Sequence, residues 1–281
     1  MNLIPEKVEG LLAEVKEAVA TEKLLLPSLP DVALKIKAEC EKESSSIDSI
    51  ANVISQDPAM SVRLLQVANS AIYRTRVTTD NLQMAISKLG LKLVRDLIIS
   101  LSMKQLYQAD SNVIAECFKE LWITSTKTAA LAHILASKHK HLDTEKAMLA
   151  GLAHNIGALP IILMAEDDDD LFDQPNELCK IIQKMQGEVG SFIFQKWHFP
   201  DYMINVAKEC YQFRRNHQGP ADYIDVVQVA LIQGSIYTGL DCPEDWSTVS
   251  AFAKLEIDTD SHVLDIEENK IIFDETTTLF K

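Results

Sequence analysis

The stretch MLAGLAHNIGALPIILMA, residues 148–165, is apolar on nearly every side, yet it carries a histidine and an asparagine at its centre. A helix of this composition is normally buried all round. A buried imidazole or amide that lacks a hydrogen-bond partner costs about 1–3 kcal/mol. His154 and Asn155 therefore predict either a fixed hydrogen-bond network between helices or a polar site inside the core.

The side chain at position 155 limits the chemistry of such a site. An aspartate after His154 would present a neutral nitrogen and an anionic oxygen, which together suit a divalent metal. Asn155 keeps the shape of an aspartate but lacks its negative charge. The pair is therefore a poor start for a metal site, and a hydrogen-bonded pair that ties neighbouring helices together is the favoured interpretation.

Composition predicts an acidic, mostly helical, cytoplasmic protein. The 281 residues include only nine glycines and nine prolines, which is few for an all-β chain rich in tight turns. A net charge of −14 disfavours binding to nucleic acid or to anionic lipid. The N-terminus shows no basic flank before an apolar core, and the five cysteines form no Cys-x-x-Cys pair. Residues 148–165 reach the minimum length of a membrane span, but the polar pair and Pro160 favour a buried core helix, so no membrane partner is expected.

Apolar spacing along the chain predicts helices in three successive parts. Residues 1–108 are predicted to form an N-terminal helical bundle, residues 109–240 a second helical subdomain, and residues 241–281 a C-terminal extension. Within the extension, a helix over 261–273 is favoured over a small hairpin. In the second part, one buried helix is expected across 148–165. Further helices are expected near residues 175–186, 187–198, 200–214 and 222–239.

A series of short motifs runs along the chain in a characteristic order. They are LPSLPDVA (26–33), IANVISQDPA (50–59), LLQVANSAIY (64–73), AISKLG (85–90), LW (121–122) with Ser125, AGLAHNIG (150–157), EVG (188–190) and WHFP (197–200). No single motif is specific, but their order and spacing resemble the HDOD family of bacterial signalling-associated domains. This family is related to the HD metal-dependent phosphohydrolases. The likeness covers about residues 22–240.

The resemblance implies an all-α fold in which an N-terminal helical bundle packs against an HD-like helical domain. It also implies a ligand set, because active relatives hold metal with a first histidine, a His-Asp pair, a later aspartate and, in some, further histidines. The corresponding positions in this sequence are Thr124, His154, Asn155, Gln186, Cys210 and Tyr211. No aspartate occurs between Asp225 and Asp241, where the last ligand should lie. One potential ligand, His154, therefore remains.

These departures from the family pattern predict a noncatalytic regulatory protein with no catalytic residue, no metal site and no cofactor. The six positions above would then form a vestigial pocket, and the protein would act through protein contacts or ligand sensing. Its expected partners are signalling proteins in trans, with a homodimeric scaffold as a further alternative. The rival hypothesis is a metal-dependent phosphohydrolase of a nucleotide or phosphate ester, in which Glu188, His198 or the acidic run 166–170 joins His154. Arg214 and Arg215 are interpreted as an exposed helix end.

Overall fold

The computed structural model describes residues 4–24, 26–70, 72–73, 78–166, 175–234 and 243–280, without the side chains of 4–7 and 175. These residues form helices and no strand, which confirms the all-α prediction. The α-helices are α1 (Ile4–Ala20), α2 (Asp31–Cys40), α3 (Ile47–Ser55), α4 (Pro58–Asn69), α5 (Leu82–Leu89), α6 (Leu91–Ser102), α7 (Asn112–Ser137), α8 (Thr144–Ala153), α9 (Ala158–Met164), α10 (Pro175–Lys196), α11 (Asp201–Glu209), α12 (Tyr223–Gln233), α13 (Ser250–Lys254) and α14 (Glu267–Leu279). Short 3-10 helices cover Met103–Tyr107, Trp246–Thr248 and Val263–Asp265.

Capping side chains determine where the helices of the N-terminal part begin. The Ser46 hydroxyl accepts the backbone N–H of Ser49, and the Ser49 hydroxyl accepts the backbone N–H of Ser46 in return. The Asp57 carboxylate accepts the backbone N–H of Met60 at 3.0 Å. Pro58 follows at the first helical position, where a missing N–H costs nothing. Each cap satisfies a backbone donor that has no partner within the helix.

The apolar stretch 148–165 is not one helix, as the sequence predicts, but two helices joined by a turn at 154–157. Pro160 explains the break. Proline has no N–H, so it cannot donate the helical hydrogen bond that a continuous helix would require at its position. In the first turn of a new helix that donor is not needed, and Pro160 is the third residue of α9. The turn places His154 and Asn155 at a helix end rather than in mid-helix.

Residues 175–196 form one continuous helix, α10, where the sequence predicts two that meet at Gly187. Gly187 serves close packing here instead of ending a helix. A Cβ at this position would lie 2.9 Å from the carbonyl oxygen of Lys208 in α11. Gly157 is tighter still, because its Cβ would lie 2.0 Å from the carbonyl oxygen of Gln186. Both glycines therefore allow backbone contact, of α10 with α11 and with the 154–157 turn.

The N-terminal helices and the helices that follow α7 share one hydrophobic core. A single cluster of buried apolar side chains extends from Leu11 in α1 to Leu231 in α12. The middle of α6 contributes Leu97 and Ile98, both almost fully buried. A second cluster joins the last turns of α7 to α12 and α13. Apolar contacts that are continuous in this way predict a single cooperative unfolding unit.

The C-terminal residues fold back onto α7. A 3-10 turn at Val263–Asp265 precedes α14, so the favoured helix is confirmed in kind, although it lies later than 261–273, and the hairpin alternative is wrong. The Trp122 indole N–H donates to the carbonyl oxygen of Phe280 at 3.1 Å. The two rings meet edge to face with centroids 6.2 Å apart. Phe280 is 1% exposed and belongs to the larger core cluster.

The segment Thr144–Met164 is long and apolar enough to span a membrane by length and composition. In the fold, 89% of its 18-residue apolar window is buried inside the protein. Burial of this extent is typical of a core segment, because lipid-facing helices expose their apolar side chains. The sequence-based interpretation as a buried core segment therefore agrees with the structure, apart from the break at 154–157.

Because Phe280 packs against Trp122 of α7, its side chain is expected to contribute strongly to stability. Phe280→Ala should lower the free energy of unfolding by about 3–5 kcal/mol, because it removes a fully buried ring and leaves a cavity beside Trp122. Ile271→Ala is the matched control, because Ile271 lies in the same helix and is 51% exposed. It should change the free energy of unfolding by less than about 0.5 kcal/mol. Urea unfolding followed by circular dichroism measures both. Equal effects of the two variants would contradict the docking of Phe280.

Candidate functional site

His154 lies directly after α8, with its side chain 1% exposed. Its Nδ1 lies 2.7 Å from the carbonyl oxygen of Gly151. A carbonyl only accepts, so Nδ1 carries the proton and Nε2 is a bare acceptor. Gly151 is one of the last residues of α8, whose carbonyls have no partner within the helix, and the imidazole therefore caps this helix.

Burial keeps this imidazole neutral. Desolvation lowers the pKa of His154 to about 4, and the hydrogen bond to Gly151 offsets only part of that effect. The Nε2 atom is buried and has no hydrogen-bond partner. The ring of Tyr211 lies beside it, with centroids 5.9 Å apart. A neutral histidine with one open nitrogen could provide one ligand to a metal, and no more.

Asn155 points to a different set of partners from those of His154. Its Oδ1 accepts hydrogen bonds from the Tyr107 hydroxyl at 2.7 Å and from the Ser125 hydroxyl at 2.9 Å. Its Nδ2 donates to the carbonyl oxygen of Leu121 at 3.2 Å. The amide therefore ties the 154–157 turn to α7 and to the 3-10 turn that precedes α7. Both of its polar atoms form hydrogen bonds within the protein, and the oxygen, the atom that could ligate a metal, already accepts two of them.

The residues around His154 do not fit a divalent metal. A protein metal centre needs three or more nitrogen, sulfur or carboxylate donors that converge on one point. Among the residues that the structure describes, His154 joins no such group of histidine, cysteine, aspartate or glutamate side chains. Glu188 and His198, which the hydrolase hypothesis would recruit, are both exposed. Residues 167–170 of the acidic run lie outside the described residues.

One group of potential metal ligands lies elsewhere, at the start of α12. It comprises His217, Asp222 and Asp225, whose donor atoms lie within 4.8 Å of one another. The guanidinium of Arg215 contacts both carboxylates, and His217 Nε2 lies 2.8 Å from Asp225. The arginine already supplies the positive charge of this cluster, which makes it a structural ion-pair network. Arg214 is exposed as predicted, but the interpretation of Arg215 as exposed is wrong, because its side chain is only 13% exposed.

The sequence model of the HDOD domain matches residues 26–213, about two-thirds of the chain. The chain belongs to the HDOD family. Its fold is similar to that of a Shewanella amazonensis SB2B protein, provisionally named a metal-dependent phosphohydrolase, with a TM-score of 0.87 and 25% identity over 98% of this chain and 100% of the other. It is also similar to a provisionally named signal transduction protein from Marinobacter aquaeolei VT8, with a TM-score of 0.61 and 18% identity over 100% of this chain and 67% of the other.

A longer protein is similar in sequence to this HDOD chain. It comes from Treponema pallidum (strain Nichols), is named only as an uncharacterized protein, and is 25% identical over 222 residues. The matched region is 73% of this chain but only 42% of that relative. The chain therefore spans less than half the length of this relative.

The HDOD fold separates the six positions of the predicted pocket into distinct environments. His154 and Tyr211 lie together, and Cys210 beside them in sequence is fully buried. Asn155 turns toward α7. Thr124 is not its neighbour, because the Thr124 hydroxyl donates to the carbonyl oxygen of Glu120 one turn earlier in α7. Gln186 is buried, and its backbone carbonyl packs against Gly157.

Two partners of Asn155 were missed at the sequence level. Ser125 stands one residue after the assigned position 124 and takes the place next to Asn155. Tyr107 comes from a 3-10 turn nearly fifty residues earlier in the chain. The motif that contains Ser125 provided a signal for the first contact. Tyr107 ends an apolar run, and nothing in its spacing points to a buried hydroxyl.

A largely buried carboxyl group that the sequence did not single out lies in the first turn of α8. Glu145 accepts a hydrogen bond from the Tyr73 hydroxyl at 2.6 Å, and burial raises the pKa of Glu145 to about 7. Nδ1 of His133 lies 3.9 Å from Glu145, while burial lowers the pKa of His133 to about 4. At neutral pH this imidazole is uncharged, so its contact with Glu145 is not an ion pair.

The partners of Asn155 predict the effect of restoring an aspartate at this position. In Asn155→Asp, the carbonyl oxygen of Leu121 loses its donor and faces a carboxylate inside the core. The free energy of unfolding should fall by about 1–3 kcal/mol at pH 7.5. Asn52→Asp, on an exposed face of α3, is the control and should shift stability by less than about 0.5 kcal/mol. If Asn155→Asp unfolds at the same urea concentration as the parent, the network does not hold the turn.

The neutral His154 predicts a pH dependence of stability. The unfolded chain binds this proton near pH 6.5 and the folded chain only near pH 4, so acid favours unfolding between these values. This group should lower stability by about 1.4 kcal/mol for each pH unit below 6. His133 acts in the same direction. Glu145 acts in the opposite direction, because its raised pKa removes stability as the pH rises toward 7.

The measurement is therefore a difference between the parent and a variant. Urea unfolding at pH 6.5, 6.0 and 5.5 should show a shallower loss of stability in His154→Gln than in the parent. His198→Asn, a change at an exposed histidine, should leave the parent slope unchanged. A parent slope that persists in His154→Gln would contradict the burial of a neutral imidazole.

Proposed function

We propose that this HDOD protein is a noncatalytic regulatory module that acts through protein contacts or ligand sensing in bacterial signal transduction. The observation that carries the proposal is the state of the His154–Asn155 pair. His154 caps α8 through one nitrogen, and Asn155 has both polar atoms in hydrogen bonds to α7 and Tyr107. The position that defines metal chemistry in active relatives is thus occupied by structural hydrogen bonds.

Electrostatics supports the same proposal. Hydrolysis by a metal needs an ion whose charge lowers the pKa of a bound water to near neutrality. A single neutral imidazole beside an amide brings no negative charge to balance a divalent ion in a buried site. Turning Asn155 toward such an ion would break its bonds to Tyr107 and Ser125 and leave the Leu121 carbonyl unpaired. Each lost buried bond costs about 1–3 kcal/mol.

The similar proteins support a regulatory role in a larger assembly. One structural neighbour bears a signal transduction name, and a sequence relative is more than twice as long as the matched region. We propose that the HDOD module acts on signalling proteins in the cytoplasm. The module would then pass on a signal by changing its conformation or its protein contacts, and would not release a reaction product. A fold can keep its architecture while the chemistry of its site is lost.

Two observations favour the rival function, a metal-dependent phosphohydrolase. Nε2 of His154 is free, and a structural neighbour with a TM-score of 0.87 bears that enzyme name. The two functions differ in a measurable property, which is the metal content of the protein. They also differ in whether phosphate esters are turned over.

The experiment combines both measurements. The purified chain is incubated with manganese, iron or nickel, desalted, and analysed for bound metal, then assayed with a panel of nucleotides and phosphate monoesters. We expect less than about 0.1 metal ion per chain. We also expect no hydrolysis of phosphate esters that depends on His154. His133→Ala is the matched control, because it removes another buried neutral histidine away from the 154–157 turn.

The opposite outcome is equally clear. Stoichiometric metal in the parent and in His133→Ala, lost together with turnover in His154→Ala, would replace the proposed function with the hydrolase. Metal retained in all three proteins would point to a site away from His154, and the proposal for the His154–Asn155 pair would stand.

A further inference from the structure

A cleft lies where the N-terminal helices α2 and α6 meet α8 and the segment that leads into α11. It contains about 570 Å³ of space, part of it open to solvent. Lys37 and Arg95 line it from the N-terminal helices, while Lys146 and Tyr202 line it from the other side. None of the six positions of the predicted pocket lines this cleft. It is therefore a separate feature from the 154–157 turn.

The cleft concentrates positive charge in a protein whose net charge is −14. Three cations, Lys37, Arg95 and Lys146, line it together with two carboxylates, Glu41 and Asp96. Glu41 is exposed at the rim, and Asp96 is buried against Arg95. The local balance is thus cationic. Such a patch attracts a small anion.

Two of the cations have bonding capacity left. Nε and Nη2 of Arg95 contact Asp96 at 2.8 and 2.7 Å, and Nη1 forms no bond to a described residue. The Lys146 ammonium lies 5.5 Å from the ring centroid of Tyr202 and forms no hydrogen bond or ion pair within the described chain. Lys37 differs, because it donates to the backbone carbonyls of residues 197 and 198 at 2.7 and 2.9 Å. Arg95 and Lys146 are therefore the groups available to an anion.

An apolar wall completes the cleft. Ile99 of α6, Leu149 of α8 and Phe199 line it, and each is at least nine-tenths buried. Ligand sites typically combine such an apolar wall with a few polar groups that fix orientation. The ammonium groups of Lys37 and Lys146 have no carboxylate partner among the described residues, and their two charges match the double charge of a phosphate monoester better than the single charge of a carboxylate. The planar N–H groups of arginine also suit phosphate oxygens.

We propose that this cleft binds a small phosphate monoester that carries a flat ring, such as a nucleoside monophosphate. The phosphate contacts Arg95 and Lys146, and the ring lies along the wall formed by Ile99, Leu149 and Phe199. The proposal deepens the ligand-sensing form of the proposed function and depends on it only for its biological role. A ligand in this position touches both halves of the chain, so its binding stabilises their joined arrangement.

The test is calorimetric titration of the full chain with AMP, inorganic phosphate and adenosine, in EDTA at low salt. We expect saturable binding of AMP, weaker binding of phosphate and no binding of adenosine. Lys146→Met should weaken AMP binding about tenfold to a hundredfold, because it removes a charge-assisted contact and keeps the length of the side chain. Lys146→Arg should retain binding. Lys127→Met, at an exposed position of α7, is the matched control and should bind as the parent does.

Several outcomes would overturn the inference. Absence of saturable AMP binding, or equal binding by the parent and Lys146→Met, removes the site. Equal affinity for phosphate and AMP contradicts the role of the apolar wall, and equal affinity for adenosine and AMP contradicts the role of the cations. EDTA keeps this test independent of metal. If AMP does not bind but His154 holds no metal, the cleft proposal fails and the proposed function stands. If His154 supports metal-dependent turnover, the proposed function fails, and AMP binding in EDTA still tests the cleft.

Discussion

The hydrogen bonds of Asn155 are the constraint on which the centre of this fold depends. They hold a turn inside an otherwise apolar stretch and join it to α7 and to the 3-10 turn before α7. Without them, the polar groups of a buried turn would face hydrocarbon, where each unpaired group is costly. Gly157 completes the arrangement, because only a residue without Cβ allows this turn to touch the backbone of α10. The position of α9, and through it of α10, follows from these contacts.

Within the described residues, the same hydrogen bonds join the elements around the 154–157 turn through neutral groups. In a metal site, the ion would bring the surrounding helices together by coordinating ligands from each. Here an amide and two hydroxyl groups connect the same helices with neutral hydrogen bonds, which need no buried charge. Neutral networks of this kind are stable when every member is satisfied. The Oδ1 of Asn155 accepts two hydrogen bonds and its Nδ2 donates one, whereas the neighbouring His154 is satisfied at one nitrogen only.

Much of the architecture was accessible from the sequence, for reasons that can be traced to particular residues. Ser46 and Asp57 are side chains whose caps are local, so the starts of α3 and α4 could be predicted from a few neighbouring positions. The continuous helix α10 could not, because Gly187 usually weakens a helix and only the approach of α11 gives it another role. The break before α9 was within reach, since Pro160 forbids a continuous helix. One helix was predicted nevertheless, because residues 148–165 are nearly all apolar.

The surroundings of His154 and Asn155 were harder to predict from the sequence than the helices. Sequence order placed His154 and Asn155 side by side, but a helix end turned them toward different neighbours. Ser125, which donates to Asn155, directly follows the predicted position Thr124, and one residue along α7 turns the side chain by about 100° toward other partners. Arg215 was missed for a related reason, since its acidic partners at 222 and 225 come from the next helix. The cleft lined by Lys37, Arg95 and Lys146 combines three helices, and no local pattern links them.

The shared core determines what kind of response such a protein can give. Helices from both halves contribute to one buried cluster, so rotation of one half against the other would expose apolar surface at about 25 cal/mol per Å². A change driven by a small ligand therefore has to be local, at elements with few buried apolar contacts. The polar side chains that line the cleft, among them Arg95 and Lys146, can move in this way, whereas Phe199 is buried and holds the segment between α10 and α11 in the core. Under the proposed function, the neutral His154 cap would keep the core fixed, and a ligand in the charged cleft would act at the edge of that core.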